Sequence, residues 1–312
     1  AEIMTLIPKD TRQIIRVKKI AHATYETPDL DQQIEYYTNI LGLNLVAREK
    51  DAAYLASTID HHSVVLRKGG AAQCVRIGFQ LGTDDDLDAF ERQCQAQGVK
   101  TRRLKDPEPT ITDMVAFEDP KGTLMEVFKR PEPQTQRFPN KGIIPHKIGH
   151  VAFHCVDVKL VTKFYLDVLG FRESDWMADF FSFLRCGPDH HTVNFLSGKT
   201  TRMHHIAFEV KDFAHIQNAC ELFGQKSIPI IWGPLRHGPG HNISTYHHNP
   251  DSHVVEFYTE LDQMKDEALG YFEPRPWHHD TPQRPKVWRG KNSRSVWGPA
   301  PSEAYERSAS RT

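Results

Sequence analysis

Three residues in the second half of the sequence have the side-chain types of a metal site. They are His150 in IGHVAF, His205 in RMHHIAFEV and Glu256 in NPDSHVVEFY. Neutral imidazole nitrogens and carboxylate oxygens both bind divalent transition metals. Side chains on a strand alternate between its two faces, so only one of the adjacent His204 and His205 can share a face with Ala207. One histidine of this pair is therefore a candidate ligand.

The chain repeats itself, and the repeat provides an internal comparison. Asp60–Leu81 aligns without a gap with Asp189–Val210, an offset of 129 residues. Self-similarity at a fixed offset is a reliable sign of repeated structural units, and the sequence therefore predicts one fold that occurs twice. Two flanking segments repeat as well, pairing Ile20–Val46 with Ile148–Ser174 and Asp119–Phe128 with Asn249–Tyr258.

The two copies differ at one candidate ligand position. The first half has His22, Arg76 and Glu126 where the second half has His150, His205 and Glu256. Arginine has no lone pair to donate and stays protonated, so Arg76 would repel a divalent cation. The comparison selects His205 as the ligand of its pair. It also predicts a metal in the second half only, with the first half as a scaffold.

Two imidazoles and one carboxylate leave about three positions of an octahedral ion open. That arrangement is the one with which non-haem Fe(II) oxygenases hold a substrate and O₂, and Mn(II) fits the same ligands. A structural zinc site is usually closed by four protein ligands, often thiolates. The cysteines favour reduced thiols over a zinc or redox site, because no CxxC pair occurs among Cys74, Cys94, Cys155, Cys186 and Cys220.

Strands and helices in a recurring order must position these residues. Each half contains short alternating strands and an amphipathic helix, such as the one predicted over Asp157–Leu169 and ended by Gly170. The pattern predicts an α+β fold of four βαβββ modules, at about 17–70, 72–130, 146–199 and 202–262. We expect an N-terminal domain without metal over 1–140 and a C-terminal catalytic domain over 141–312, joined by the proline-rich segment Arg130–Gly142.

Two further segments carry structural predictions. The acidic run Asp84–Asp88 predicts the start of a helix, where carboxylates interact favourably with the helix dipole. In the tail after residue 262, Pro274–Trp288 contains too many prolines for a helix or a central strand, yet it carries tryptophans and histidines. We expect this C-terminal tail to fold back over the second half and to act as a lid.

Composition restricts the kind of partner. Lys and Arg number 39 against 40 Asp and Glu, so no overall basic field attracts nucleic acid or an anionic membrane. No run of about 18 apolar residues occurs, and the first residues lack the layout of a secretory signal. These features favour a cytoplasmic protein whose partner is a small molecule.

Several motifs of the second half resemble one known family. They are IGHVAF (Ile148–Phe153), FYLDVLGF (Phe164–Phe171), HHTVNF (His190–Phe195), MHHIAFEV (Met203–Val210), RHG (Arg236–Gly238), and Tyr246 followed by NPDSHVVEFY. Over most of its length the chain resembles the type I extradiol ring-cleaving catechol dioxygenases of the vicinal oxygen chelate superfamily. Ser252 and Thr245 depart from the family's pattern, which usually has Gly at the first position and an aliphatic or aromatic residue at the second.

The resemblance implies a role for each matched residue. It implies Fe(II), or alternatively Mn(II), as the metal of an enzyme that cleaves a catechol with O₂ to a muconate-type semialdehyde. It also implies a homotetramer and, for the tail, a likeness to the lid of the homoprotocatechuate-cleaving branch. His204 would be the outward neighbour of the ligands or lie behind them. The implied site consists of His150, His205 and Glu256 as metal ligands, His191 as the acid–base residue, and His237 and Tyr246 as substrate-positioning residues.

Two other functions stay open. A glyoxalase-like isomerase or epimerase of the same superfamily would use a metal without redox chemistry, generally with four protein ligands. A metal-free protein of the same fold would instead sequester an aromatic compound. His191 has an alternative of its own, because His62 repeats it in the first half and a structural role would explain both.

The remaining predictions concern the surroundings of the site. Aromatic residues predict an apolar pocket for a ring substituent, and they are Trp232, Phe180, Phe181 and Phe195. Cys155 and Cys220 are expected in the core. Other histidines are expected at the surface or behind the ligands, namely His61, His154, His241, His247, His248 and His253.

Overall fold

The first half of the chain forms an eight-stranded sheet with two helices. The computed structural model describes residues 5–58, 60–129, 131–133, 140–273 and 283–311. The strands lie in the order β2-β3-β4-β1-β5-β8-β7-β6. In chain order the elements are β1 (Lys19–Thr27), α1 (Leu30–Asn39), β2 (Asn44–Arg48), β3 (Ala52–Ala56), β4 (Val64–Lys68), β5 (Gln73–Gln80), α2 (Leu87–Ala96), β6 (Arg102–Glu108), β7 (Ile111–Glu118) and β8 (Leu124–Phe128).

The second half repeats this arrangement and adds one strand. Its elements are β9 (Lys147–Cys155), α3 (Val158–Asp167), β10 (Arg172–Met177), β11 (Phe181–Arg185), β12 (Val193–Ser197), β13 (Arg202–Glu209), α4 (Phe213–Gln225), β14 (Trp232–Arg236), β15 (Ile243–His248), β16 (Val254–Thr259) and β17 (Lys286–Trp288). The nine strands lie in the order β14-β15-β16-β13-β9-β12-β11-β10-β17.

Each sheet is built from two βαβββ modules. In every module the first strand pairs in parallel with the last, as β9 does with β12 and β13 with β16. The first strands of the two modules in a sheet pair antiparallel, β1 with β5 and β9 with β13. The predicted fold class is confirmed, and the division near residue 140 stays a prediction.

The four module helices begin in the same way. Each follows an aspartate whose carboxylate accepts a backbone N–H of the first turn, and a negative charge is favourable at this end of a helix. The acidic run Asp84–Asp88 therefore spans the start of a helix, as predicted, with Asp86 just before α2 and Asp88 in its first turn. The four aspartates are Asp29, Asp86, Asp157 and Asp212.

A shared apolar core joins the two halves. Phe79 of the first half packs against Tyr165 and Phe171 of the second half, with ring centroids 6.4 and 5.4 Å apart. The Tyr165 hydroxyl donates a hydrogen bond to Asp119 at 2.9 Å. Each large side chain buried in this way contributes about 1.5–3 kcal/mol relative to exposure. The first half therefore supports the sheet that carries the candidate ligands.

The C-terminal tail folds back over the second half, as predicted. In β17, Lys286–Trp288 pairs in parallel with Asp175–Met177 of β10. A 3-10 helix (Lys291–Ser293) and α5 (Glu303–Ala309) follow. Residues 274–282 of the tail, and residues 130 and 134–139 of the proline-rich segment, lie outside the described residues. Within the described ranges, no helix is both long enough and apolar enough to cross a membrane.

Candidate metal centre

Three adjacent strands bring the predicted ligands together. His150 lies on β9, His205 on β13 and Glu256 on β16, and β13 is the middle strand of the three. Ala207 of β13 lies opposite both His150 and Glu256 in the strand register. A register shift between Met203 and His205 marks an irregularity of the kind that re-aims side chains next to functional sites.

The three ligand atoms form a compact triangle. His150 Nε2 lies 3.2 Å from His205 Nε2 and 3.0 Å from Glu256 Oε2. His205 Nε2 lies 3.1 Å from the same carboxylate oxygen. Two ligand atoms that lie about 2.1 Å from one ion and at right angles to each other are about 3.0 Å apart. The triangle therefore fits three neighbouring ligands of a single divalent ion.

The protonation states of this triangle suit a cation. Burial favours a raised pKa for Glu256, but His150 and His205 outweigh that effect and hold the pKa well below its usual range. Burial lowers the pKa of His205, with Glu256 acting in the opposite direction. A carboxylate anion and a neutral imidazole are the forms that coordinate metals.

Two polar side chains orient the ligand carboxylate. The Ser244 hydroxyl donates to Glu256 Oε1 at 2.5 Å, and Asn242 Nδ2 donates to the same oxygen at 3.1 Å. Both side chains are buried. Hydrogen bonds of this kind fix the orientation of a metal ligand. Here they leave Oε2 directed at the two imidazoles.

His191 lies beside the triangle, and its neighbours determine where its proton sits. Its ring centroid is 4.4 Å from that of His150, and its Nδ1 is 3.0 Å from His190 Nδ1. His190 Nε2 lies 2.8 Å from Asp175 Oδ2, which also accepts from Trp288 Nε1 at 2.7 Å. Because a carboxylate only accepts, His190 carries its proton on Nε2 and accepts from His191 Nδ1. His191 Nε2 is then left with a free lone pair.

The surroundings also keep His191 neutral. Burial, followed by the neighbouring His150 and His190, lowers its pKa well below the ordinary value. His191 is therefore a base in the free protein and not an acid. The structure places it where the resemblance implies, while its acid–base role stays a prediction.

The two predicted substrate-positioning residues contact each other. His237 Nδ1 donates to the Arg294 carbonyl at 2.9 Å, so its Nε2 accepts from the Tyr246 hydroxyl at 2.7 Å. His237 Nε2 lies 3.9 Å from Glu256 Oε1. The pair therefore lies at the edge of the triangle, beside Glu256 and His205.

A cavity of about 450 Å³ opens on the triangle and is lined by all six predicted site residues. Phe180, Phe181 and Trp232 line it, as predicted. The prediction for Phe195 is wrong, because side chains alternate along β12 and it is Asn194 that faces the cavity. Phe195 is fully buried in the core against Tyr165. The tail supplies part of the lining through Ser293, Arg294, Tyr305, Glu306, Ala309, Ser310 and Arg311.

His204 lies directly behind the ligand of its pair. Its Nδ1 is 2.6 Å from His205 Nδ1, and its ring centroid is 5.1 Å from that of His154. A hydrogen bond at Nδ1 fixes the His205 ring with Nε2 toward the triangle. Of the two adjacent histidines, His205 lies in the triangle and His204 supports it.

Several other histidines are not at the surface. The sequence predicts these histidines either at the surface or behind the ligands. A surface position is wrong for three of them, because His154, His241 and His247 are all buried. His247 packs against Phe223 and Phe257 and contacts the Tyr36 hydroxyl of the first half, so it belongs to the interface between the halves. Cys155 is buried, as predicted, and Cys220 is partly buried at the edge of the core.

Sequence reasoning missed the residues that orient the site. The repeat carried a signal for His190, since an adjacent His pair occurs at both His61–His62 and His190–His191. Nothing in the sequence marks Asp175, whose partner Trp288 lies 113 residues further along the chain. Ser244 and Asn242 are polar residues of common types whose role depends on the register of β15 against β16.

Comparison with known proteins places these features in a family context. The sequence matches the family described as the glyoxalase/bleomycin resistance protein/dioxygenase superfamily over residues 19–127 and 147–257. A manganese-dependent 2,3-dihydroxybiphenyl 1,2-dioxygenase from Geobacillus genomosp. 3 is 24% identical over 299 residues, which cover 88% of this chain and 94% of that relative.

Two solved structures are similar along almost the whole chain. The Mn(II)-bound glyoxalase from Novosphingobium aromaticivorans has a TM-score of 0.82 and 27% identity, covering 93% of this chain and 94% of its own. Homoprotocatechuate 2,3-dioxygenase from Brevibacterium fuscum, in complex with 3,4-dihydroxyphenylacetate, has a TM-score of 0.79 and 26% identity, covering 96% and 95%.

Proposed function

The chain belongs to the glyoxalase/bleomycin resistance protein/dioxygenase superfamily, and from that premise we propose that it is an extradiol catechol dioxygenase. The ring C–C bond beside the two hydroxyl-bearing carbons breaks, and both atoms of O₂ enter the semialdehyde product, so no external reductant is needed. One observation carries the proposal: a buried triangle of two imidazoles and one carboxylate faces an apolar cavity that also contains a neutral histidine base.

The proposed metal ligands are His150, His205 and Glu256. When bound, Fe(II) or Mn(II) would lower the pKa of a catechol hydroxyl and bring the substrate and O₂ into electronic contact. Ser244 holds the carboxylate in place, and His204 holds the ring of His205. The catalytic machinery thus lies in the proposed C-terminal domain, 141–312.

His191 is the proposed acid–base residue. Its free Nε2 lone pair would accept a proton from one catechol hydroxyl and later return it to oxygen. The pKa lowered by burial makes it a base before substrate binds. Once His191 has accepted this proton, burial disfavours its charged form and so favours release of the proton. This property suits a residue that must give the proton back.

His237 and Tyr246 would hold the substrate from the opposite side. The Tyr246 hydroxyl, which donates to His237 in the free protein, would turn to donate to negative charge that develops on oxygen. The aromatic walls formed by Phe180, Phe181 and Trp232 would bind the ring and its substituent.

A metal-dependent isomerase is the second candidate, because one of the similar solved structures is described as a glyoxalase. Such sites generally use four protein ligands. Among the described residues, the cluster at the second-half site has three, namely His150, His205 and Glu256. The open coordination positions favour the dioxygenase.

The deciding experiment is anaerobic loading of the metal-free protein with Fe(II) or Mn(II), followed by measurement of O₂ uptake. The substrates are catechol, 3,4-dihydroxyphenylacetate and 2,3-dihydroxybiphenyl, with the yellow colour of a semialdehyde followed by absorbance. We expect one O₂ consumed per product formed, with the preferred metal and substrate ranked by rate. His205→Ala is expected to reduce the rate by at least about 100-fold.

His146→Ala is the matched control, because His146 is an exposed histidine at the start of the second half. Its rate should equal that of the unaltered chain. Metal binding without any O₂ uptake on all three substrates would contradict the proposal and put the isomerase first. The cytoplasmic location and the homotetramer stay predictions.

A further inference from the structure

We propose that the first half of the chain holds a second divalent metal ion, bound by His22, His62 and Glu108, with Glu126 beside His22. The inference is independent of the proposed function. It replaces the expectation of an N-terminal domain without metal, which rested on Arg76 alone. Three ligand-type side chains converge there, and Glu126 lies against one of them, although the position equivalent to His205 is occupied by an arginine.

The spacing of the ligand atoms is that of a coordination shell. His22 Nε2 lies 2.9 Å from Glu126 Oε2 and 3.5 Å from Glu108 Oε2. His62 Nε2 lies 2.9 Å from the same Glu108 oxygen. Ligands about 2.0–2.1 Å from one ion are about 2.9–3.4 Å apart when their angles lie between octahedral and tetrahedral values. The distance from His62 to Glu108 lies in this range, and the distance from His22 to Glu108 lies just above it. The second-half triangle, with edges of 3.0 to 3.2 Å, serves as an internal reference.

Two ligand-type side chains of the first half come from other repeat positions than the proposed ligands of the second half. His62 occupies the repeat position of His191, and Glu108 ends β6 where His237 follows β14. In the second half these two positions face the substrate cavity. In the first half they turn toward each other and toward His22, so they replace the ligand that Arg76 cannot supply.

Arg76 does not occupy the point where the ion would bind. Its guanidinium lies 3.2 Å from Glu126 Oε1, the oxygen that does not face His22, and its side chain is 33% exposed. The arginine therefore neutralises the outer side of the carboxylate. The two carboxylates exceed Arg76 by one negative charge, and either a bound cation or a proton on His22 balances it.

The cluster is enclosed, and some of its buried polar atoms lack a hydrogen-bond partner. His22, His62 and Glu108 are buried, and the second polar atoms of two of them, His22 Nδ1 and Glu108 Oε1, have no hydrogen-bond partner. A cavity of about 10 Å³ is lined by His22 and His62 but not by Glu108, and it has the room of one water molecule and not of an organic substrate. A Cβ at Gly78 would overlap the His22 ring, so the strand leaves this space by having a glycine there.

These features define the chemistry of the site. Two imidazoles and one carboxylate with room for about one water molecule, and without space for substrate, suit a structural ion, with Zn²⁺ as the best fit. The ion would link β1, β4 and β6, since each strand or its immediate end carries one ligand. Its role would be to stabilise the half of the chain that supports the second sheet.

The test measures metal stoichiometry in the full chain, with no reference to catalysis. The double variant His205→Ala/Glu256→Ala removes two ligands of the second-half site. After chelator treatment it is titrated with Zn²⁺ by calorimetry, and bound metal is measured by mass spectrometry after gel filtration. We expect about one Zn²⁺ per chain in this variant and about two in the unaltered chain. Co²⁺ should give the intense visible bands of a four-coordinate ion.

Two further substitutions, each made in the double variant, test where the Zn²⁺ binds. Glu108→Gln keeps the size of the side chain and removes one ligand, so we expect Zn²⁺ affinity to fall by more than about 100-fold. Asp60→Asn is the matched control, because Asp60 lines the same small cavity but pairs with Lys19 and is not a ligand. It should leave the stoichiometry at about one.

The outcome that overturns the proposal is a folded double variant, verified by circular dichroism, that binds no Zn²⁺. The first-half cluster would then be an ion-pair network closed by a proton on His22. Zn²⁺ binding that survives Glu108→Gln unchanged would also overturn it, because the ion would lie elsewhere. Neither result affects the O₂-uptake experiment, which tests the proposed function separately.

Discussion

The proton on His191 depends on a carboxylate that does not line the cavity. Asp175 fixes His190, and His190 fixes His191 with its lone pair at Nε2. In Asp175→Asn the amide cannot accept from His190, Trp288 and the Lys286 backbone N–H together. We expect the kcat for ring cleavage to fall about 10- to 100-fold, with KM and bound metal little changed.

Steady-state O₂ uptake and metal analysis of the same preparation separate this positioning effect from loss of the site. Trp288→Phe is the matched variant, because it removes one hydrogen bond to Asp175 and leaves the bond to His190. It should reduce kcat less than Asp175→Asn does. An Asp175→Asn protein with unchanged kcat across the pH range would show that His191 does not depend on this relay.

A second residue-scale prediction concerns Glu256, the proposed carboxylate ligand. Ser244→Ala removes the shorter of the two hydrogen bonds to Oε1 and leaves Asn242 as the other donor. We expect metal affinity to fall about 10- to 100-fold, because outer hydrogen bonds orient a ligand before the ion arrives. Competition with a fluorescent chelator measures this affinity, and Ser182→Ala, a buried serine on β11 outside the site, is the control.

At this scale the sequence predicted the residues that the structure brings together in the triangle and missed those that hold them. His205 was separable from His204 because the repeat places Arg76 opposite it, and the structure brings His205 into the triangle. Asp175 and Ser244 reach the site through strand register and through the tail. A linear pattern does not encode those contacts, since their partners lie far apart in the chain.

At the scale of elements, α5 closes one side of the cavity and is anchored by β13. Arg202 donates from Nη1 and Nη2 to the carbonyls of Ser308 and Ser310, at 2.8 and 2.7 Å. These carbonyls belong to the end of α5, where helices leave acceptors unpaired. Arg202 thereby holds the helix that carries Tyr305 into the cavity.

Arg202→Gln should therefore loosen α5. We expect the local opening free energy of residues 303–309 to fall by about 1–3 kcal/mol, because hydrogen bonds from a charged donor are lost. Hydrogen exchange measures that change, and KM for the catechol should rise several-fold with kcat nearly constant. Arg307→Gln is the control on the same helix, since Arg307 is exposed and contacts only Glu303 among the ion pairs found. Unchanged exchange in Arg202→Gln would refute the anchoring role.

At this scale the sequence predicts the modules well, but it predicts less well which face of a sheet each side chain occupies. The internal repeat and the pattern of strands and amphipathic helices predicted four βαβββ modules, and the fold agrees. Phe195 was assigned to the pocket from its residue type, but the parallel pairing of β12 with β9 directs it into the core. One residue of register decides the face, and composition carries no information on register.

At the scale of the whole molecule, the pH dependence of stability involves two buried histidines, His247 at the contact between the halves and His154 inside the second half. Burial, followed by the charge of Arg202, lowers the pKa of His154 to about 4, and burial lowers that of His247 to about 3. In the unfolded chain both return to the ordinary value near 6.5. Between these values the unfolded chain binds more protons than the folded one, so the folded state loses stability as pH falls.

The free energy of unfolding should accordingly be highest above about pH 6.5 and should decrease as pH falls toward 4. Each of the two histidines contributes a slope of at most about 1.4 kcal/mol per pH unit in that window. Urea unfolding of the metal-free chain, followed by circular dichroism from pH 7.5 to 4.5, measures the slope. In His154→Leu the slope should decrease by up to one such contribution, whereas in His146→Leu, an exposed position, it should not change. Equal slopes in all three proteins would mean that folding does not change the pKa of His154, and they would contradict the prediction.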